Sequence, residues 1–105
     1  MSNPLPQPYH YIRLSLSPPN PDPLSLRRGV QEALTQTFGI IAANTYMDVL
    51  WIDEQGAETV LRTSQRDAQK VMAAVAASTG RVRMAVVRDS PFLPSITVGE
   101  SVFGS

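Results

Sequence analysis

Cysteine is absent from this chain, which excludes a disulfide, a thiolate metal site and a cysteine nucleophile. Histidine occurs once, at His10, so a metal site or a histidine-based triad would find no second imidazole. An excess of charge of either sign is also missing: 9 basic residues balance 9 acidic ones. A dedicated duplex binder is usually strongly basic, because its affinity comes from neutralised phosphates; bulk charge therefore argues against strong independent nucleic-acid binding while leaving room for a local basic face. Long apolar runs are lacking, since Val71–Ala77 and Ile40–Ala43 fall far short of a membrane span. Met1–Pro8 has no basic stretch followed by an apolar run, so no signal peptide is expected and an intracellular, soluble protein is the simplest expectation. The glycines never approach G-x-x-x-x-G-K-[ST] or G-x-G-x-x-G, so a nucleotide-hydrolysing or dinucleotide-binding role has no support.

What is present is enough for one domain. The 105 residues are 43% hydrophobic, which allows a single core between two layers. Pro4, Pro6 and Pro8 mark residues 1–8 as a flexible, proline-rich lead-in. Tyr9 to Ser17 alternates, with His10, Ile12, Leu14 and Leu16 on one face and Tyr11, Arg13, Ser15 and Ser17 on the other; a strand is expected. Prolines from Pro18 to Pro23 end it. Asp22 or Ser25 can cap a helix whose stripe is Leu26, Val30, Ala33, Leu34 and Thr37, with Gly39 at its stop. Thr45 to Asp53 reads as a strand with Met47, Val49 and Trp51 on one face and Leu50 and Ile52 on the other. Gln55-Gly56 supplies a turn, and Glu58 to Thr63 returns as its hairpin partner. Ser64 with Asp67 opens a second helix whose stripe is Ala68, Val71, Met72, Val75 and Thr79 and which ends at Gly80; Arg81 to Asp89 is a fourth strand. The order predicts an α+β, ferredoxin-like βαββαβ two-layer sandwich, a four-stranded antiparallel sheet with two helices on one face. The domain is set at residues 9–93, followed by a tail over 94–105.

The candidate chemistry is sparse. Asp48, Asp53, Glu54 and Glu58 gather around the hairpin, and paired carboxylates can do acid–base work or hold a hard cation. Three of them flank a turn, where solvation is the simpler account, and Asp48 is placed to face Arg62 on the adjacent strand. His10 reads as a core or edge residue of its strand. Base stacking in the usual manner of this strand order needs aromatics on the third strand, and Glu58-Thr59-Val60-Leu61-Arg62-Thr63 has none. Arg27 and Arg28 at a helix start oppose the helix dipole, and Arg81, Arg83 and Arg88 lie on or beside the fourth strand; the placement suits an anion or an acidic partner surface, or ordinary solvated charge. The tail is too apolar to dangle: either it folds back over the open face of the sheet, or a partner covers it, and for the partner Tyr11, Trp51, Phe92 and Leu93 are the candidate interface. No catalytic residue, metal ligand or cofactor is expected.

Several short stretches occur in one order: Tyr9-His10-Tyr11-Ile12-Arg13-Leu14, the helix ending in Phe38-Gly39, Asp48-Val49-Leu50, Leu61-Arg62 and Ser90-Pro91-Phe92-Leu93. Together they resemble the smaller ferredoxin-like protein subunits of eukaryotic ribonuclease P and ribonuclease MRP, in particular the Pop-eight branch of the Pop/Rpp family. The resemblance covers Tyr9 to about Leu93. It implies a nuclear and nucleolar subunit without catalysis of its own, in a particle whose RNA cleaves precursor tRNA at the 5′ leader and whose MRP relative cuts precursor rRNA. It also implies a heterodimer with a paralogous ferredoxin-like subunit (the fifth Pop protein), contacts with other particle proteins and with the catalytic RNA, for which Arg27, Arg28, Arg81, Arg83 and Arg88 are the candidate RNA-binding residues, and no membrane. The competing expectation is a small-ligand-binding regulatory domain of the same topology, a homodimer with its ligand at a helix–strand junction.

Overall fold

A computed structural model of the chain describes residues 8–79 and 82–92. The lead-in over residues 1–7, Gly80, Arg81, Leu93 and the tail over 94–105 lie outside the described residues. The elements run β1 (Tyr9–Ser17), α1 (Pro23–Phe38), β2 (Met47–Ile52), β3 (Glu58–Ser64), α2 (Ala68–Ala77) and β4 (Arg83–Ser90). Their order in the sheet is β2-β3-β1-β4 with every neighbouring pair antiparallel, which is the ferredoxin-like arrangement expected from the sequence.

The apolar period of each element decides where it packs. Ile12, Leu14 and Leu16 of β1 are buried against Leu26, Val30, Ala33 and Leu34 of α1 and Val71, Ala74 and Val75 of α2. Both helices therefore cover the same sheet face. Asp22 caps α1, accepting from the Leu24 N–H at 3.1 Å and from the Ser25 hydroxyl at 2.9 Å, so the two candidate capping residues act together. The start of α2 is tighter than its periodicity suggested. Ser64 does bond Asp67, at 2.9 Å, but a 3₁₀ turn fills Gln65–Asp67 and the α-helix begins at Ala68. Thr37 and Thr79, placed in the buried stripes by spacing, are exposed, and α2 has ended before Thr79.

Two β-bulges rearrange the expected faces. On β2 the register steps from Val49↔Leu61 to Trp51↔Val60, leaving Leu50 as the extra residue. The side-chain period is two, so one inserted residue inverts everything after it. Ile52 thus joins Met47 and Val49 at the core, and Trp51 turns to the face away from the helices, correcting the assignment by simple alternation. The buried Thr59 hydroxyl donates to the Trp51 carbonyl at 2.6 Å, satisfying a group at the irregularity. On β4 the register steps from Leu14↔Val86 to Arg13↔Arg88, with Val87 extra. That bulge carries Arg88 onto the same face as Arg83 and Ala85, where strict alternation would have put it beside Met84.

The chain reverses at two ends. The loop after β1, the β2–β3 turn and the start of β4 share one end, called the hairpin end. The start of β1, the end of α1, the start of β2, the end of β3 and Ser90–Phe92 share the opposite end.

Candidate macromolecular contact surfaces

Register builds the helix-free face of the sheet. Tyr9, Tyr11, Arg13 and Ser15 of β1 lie beside Ser64, Arg62, Val60 and Glu58 of β3, with Asp48 and Trp51 on β2 and Arg83, Ala85, Arg88 and Ser90 on β4. Of the candidate interface residues, Tyr11 and Trp51 stand on this face and both are partly buried; Phe92 follows β4 at the opposite end and is exposed. Val60 at the centre of the face is 1% exposed although it lies outside the helix-covered core.

The cations divide by partner. Arg13 holds Glu58 through its Nε at 2.7 Å and its Nη2 at 2.6 Å. Arg62 donates to Asp48 Oδ2 at 2.8 Å, as the cross-strand placement predicted, and to the Tyr46 hydroxyl at 3.2 Å. Its guanidinium also lies 4.4 Å above the Tyr9 ring centroid, a cation–π distance. The Tyr46 hydroxyl donates to the same carboxylate oxygen at 2.5 Å. This hydrogen bond first, and that of Arg62 second, hold the Asp48 carboxyl below its ordinary range, while the bond to Asp48 pushes the Tyr46 phenol above its own. Arg27 reaches the other oxygen of Asp48 at 3.7 Å. Sequence reasoning missed Tyr46 and Tyr9 as members of this cluster. Their only signal was position, one just before β2 and one at the head of β1.

The five candidate RNA-binding arginines are therefore not one patch. Arg27 is drawn to the β2 edge by Asp48. Arg28 lines a cleft on the helix side, Arg83 and Arg88 face the other way on edge strand β4, and Arg81 is outside the described residues. Among the described residues, no carboxylate lies within ion-pair distance of Arg28, Arg66, Arg83 or Arg88. Arg88 sits directly across from Arg13, and like charges placed opposite each other repel. Glu58 relieves that repulsion on the Arg13 side, and an anion on β4 would relieve the rest.

The other candidate residues have structural partners. Asp53 accepts from the Ala57 N–H at 2.7 Å and holds the hairpin turn. His10 Nε2 lies 2.7 Å from Asp89 Oδ2, and the histidine is partly buried near the start of β1, an interior strand of the sheet. Among the described residues, no group of three histidine, aspartate or glutamate side chains could hold a metal ion. A cleft of about 640 Å³ does open at a helix–strand junction, between α1, Ser78–Thr79 and the start of β4. Leu26, Ala33, Val82 and Met84 give it an apolar floor; its ionisable residues, Arg28 and Glu32, are both exposed.

Fold and surface thus define a ferredoxin-like α+β protein that presents exposed cations and exposed apolar side chains. Residues 8–77 match the family of ribonucleases P/MRP protein subunit Pop8, and the chain belongs to that family. Membership makes it an accessory, non-catalytic protein subunit of ribonuclease P/MRP, a ribonucleoprotein. A chain in the cryo-EM structure of yeast ribonuclease MRP shares the fold, with a TM-score of 0.66 at 13% identity over 85% of this chain and 78% of that one. No curated protein sequence matches this chain.

Proposed function

We propose that this subunit braces the RNA and a paralogous ferredoxin-like subunit, the fifth Pop protein, within nuclear and nucleolar ribonuclease P/MRP. In that role it supports removal of the 5′ leader from precursor tRNA and the processing of precursor rRNA. The observation that carries the reading is the family match over residues 8–77, which spans β1 to the end of α2. Residues 9–93 form the working domain, with the segments on either side as extensions. The far sheet face supports a division of labour: Tyr11 and Trp51 meet the protein partner, joined by Phe92 and by Leu93, which follows it in the sequence, and Arg83 and Arg88 on edge strand β4 meet phosphate. Arg28, on the helix side, is a separate candidate for phosphate, Arg81 is a further one by its place in the sequence, and Arg27 contributes less because Asp48 already holds it. A near-neutral chain suits this shared binding better than solitary RNA binding.

Tagged protein expressed in a eukaryotic nucleus tests the reading. Affinity purification at moderate salt is expected to recover a structured RNA, a paralogous small subunit and an activity that cleaves precursor tRNA or precursor rRNA. Recovery of the chain without RNA or any ribonuclease P/MRP protein would overturn it.

A further inference from the structure

The connection from α1 to β2 is built inside out. In its 3₁₀ turn, Ile40–Asn44, the small Ala42 is buried while Ile40 and Ile41 are 79% and 84% exposed; Phe38, just before them, is 47% exposed. Loops on a solvated surface usually place polar residues outward, so two adjacent isoleucines in this position call for a cover. The arrangement is held firmly. The Gly39 N–H donates to the Thr35 carbonyl at 2.8 Å and the Ala42 N–H to the Gly39 carbonyl at 3.0 Å. Thr45 then grips the Ala42 carbonyl twice, with its N–H at 3.1 Å and its hydroxyl at 2.7 Å. A presented pair on a pinned backbone loses little conformational entropy when it docks.

Charge selects the kind of cover. From Ala33 to Met47 there is no Asp, Glu, Lys, Arg or His. The next residue, Asp48, is an anion, and the cations near it in the fold, Arg62 and Arg27, are already held by it. At the same end Lys70 is paired with Asp67, which leaves Arg66, on the separate β3–α2 connection, as the cation there without a carboxylate among the described residues. An RNA backbone or an anionic lipid surface needs cations at the contact, and this connection offers none. An apolar groove on a protein needs only shape and grease, with Gln36, Thr37, Asn44 and Thr45 as an uncharged hydrogen-bonding rim.

We infer that Phe38, Ile40 and Ile41 are a protein-docking knob that inserts into an apolar groove of a neighbouring protein subunit of the particle. The inference rests on the functional reading above and adds to it a second protein-contact surface, on the α1–β2 connection and apart from Tyr11 and Trp51 on the sheet.

The test uses the intact particle, purified through a tag on a different protein subunit, with this chain carrying a benzophenone photo-crosslinker at position 41. The expected result is a protease-sensitive, ribonuclease-resistant adduct with one identified protein of the particle. Alongside it, the Ile40→Asp/Ile41→Asp variant should melt as the free wild-type chain does. Its recovery in the particle should fall at least tenfold, about what losing two buried aliphatic anchors implies. That loss should persist at high salt, because the contact is apolar. An adduct to RNA, to the chain's own tail or to a second copy, or no adduct in particles that contain the chain, overturns the inference and leaves the functional reading standing. Absence of the wild-type chain from the particle overturns both.

Discussion

The two ends of the sandwich close their connections in opposite ways. At the hairpin end the backbone meets its own needs. Gly56, at φ +79°, packs so closely on the loop after β1 that a Cβ there would lie 2.3 Å from both Asn20 C and Pro21 N. The Asn20 N–H donates to the Gly56 carbonyl at 2.9 Å and the Leu16 N–H to the Ala57 carbonyl at 2.7 Å, so two loops are sewn together. At the opposite end Gly39 also takes a positive φ, +100°, yet nothing lies within 4 Å of the Cβ it lacks, and large apolar side chains face outward. Among the described residues, backbone bonds tie the hairpin-end segments to each other, while the α1–β2 connection at the other end leaves Phe38, Ile40 and Ile41 exposed.

Alanine at each glycine would sharpen that contrast. Gly56→Ala must both adopt a disfavoured φ and push backbone aside, and is expected to cost about 3 kcal/mol or more. For a domain of this size the melting temperature should fall by on the order of 10–20 °C. Gly39→Ala bears only the conformational penalty of its extended positive-φ backbone, φ +100° and ψ +170°, about 2 kcal/mol. Thermal melts followed by circular dichroism check both, and equal losses would break the distinction between a sewn end and an open one.

Next in size is the Asp48 cluster on the β2 edge. Arg62→Ala removes a partly exposed ion pair, a hydrogen bond to Tyr46 and a cation–π contact, for about 1 kcal/mol after solvent screening. Tyr46→Phe removes the hydrogen bond that most depresses the Asp48 carboxyl. Because that group is held below its ordinary value of 3.8, its contribution is complete above that value and is lost as the pH falls through the depressed one. Tyr46 has the opposite sign: its raised phenol contributes fully below about pH 10 and loses that contribution as the pH climbs past its folded value. Urea denaturation over an acid series should therefore show a shallower loss of stability for Tyr46→Phe than for wild type. Identical acid slopes would detach the cluster from the pH dependence.

Much of this was legible in the sequence, and the part that was not has a common cause. The strand and helix order, the Asp22 cap, the Gly56 turn and the Asp48–Arg62 pair follow from periodicity and turn chemistry that act over a few residues. The bulges at Leu50 and Val87 do not, because they are settled by pairing with strands distant in sequence. Each reverses a face, and so alternation alone misplaced Trp51. The scatter of the five arginines has the same origin, since which element neighbours which is a tertiary fact. The Tyr9–Tyr46–Arg62 cluster joins residues from three parts of the chain, and no local spacing announces it.

The smallest expected effect on stability concerns the cations of β4, and it separates holding the fold from holding RNA. Arg83 and Arg88 are exposed and have no carboxylate within ion-pair distance among the described residues, so Arg83→Ala and Arg88→Ala should each change stability by less than about 0.5 kcal/mol. Arg88→Ala should even relieve the repulsion from Arg13 across the strand pair. If these side chains neutralise phosphate, each loss should lower the steepness of the salt dependence of RNA affinity by about one unit in a log–log plot. The Asp48-bound Arg27 should leave that slope nearly unchanged when replaced by alanine. Titration of the assembled protein pair with its RNA at several salt concentrations reads all three variants. A slope altered by Arg27 and untouched by Arg83 and Arg88 would move the RNA from the β4 edge to the β2 edge, the side that Asp48 makes acidic.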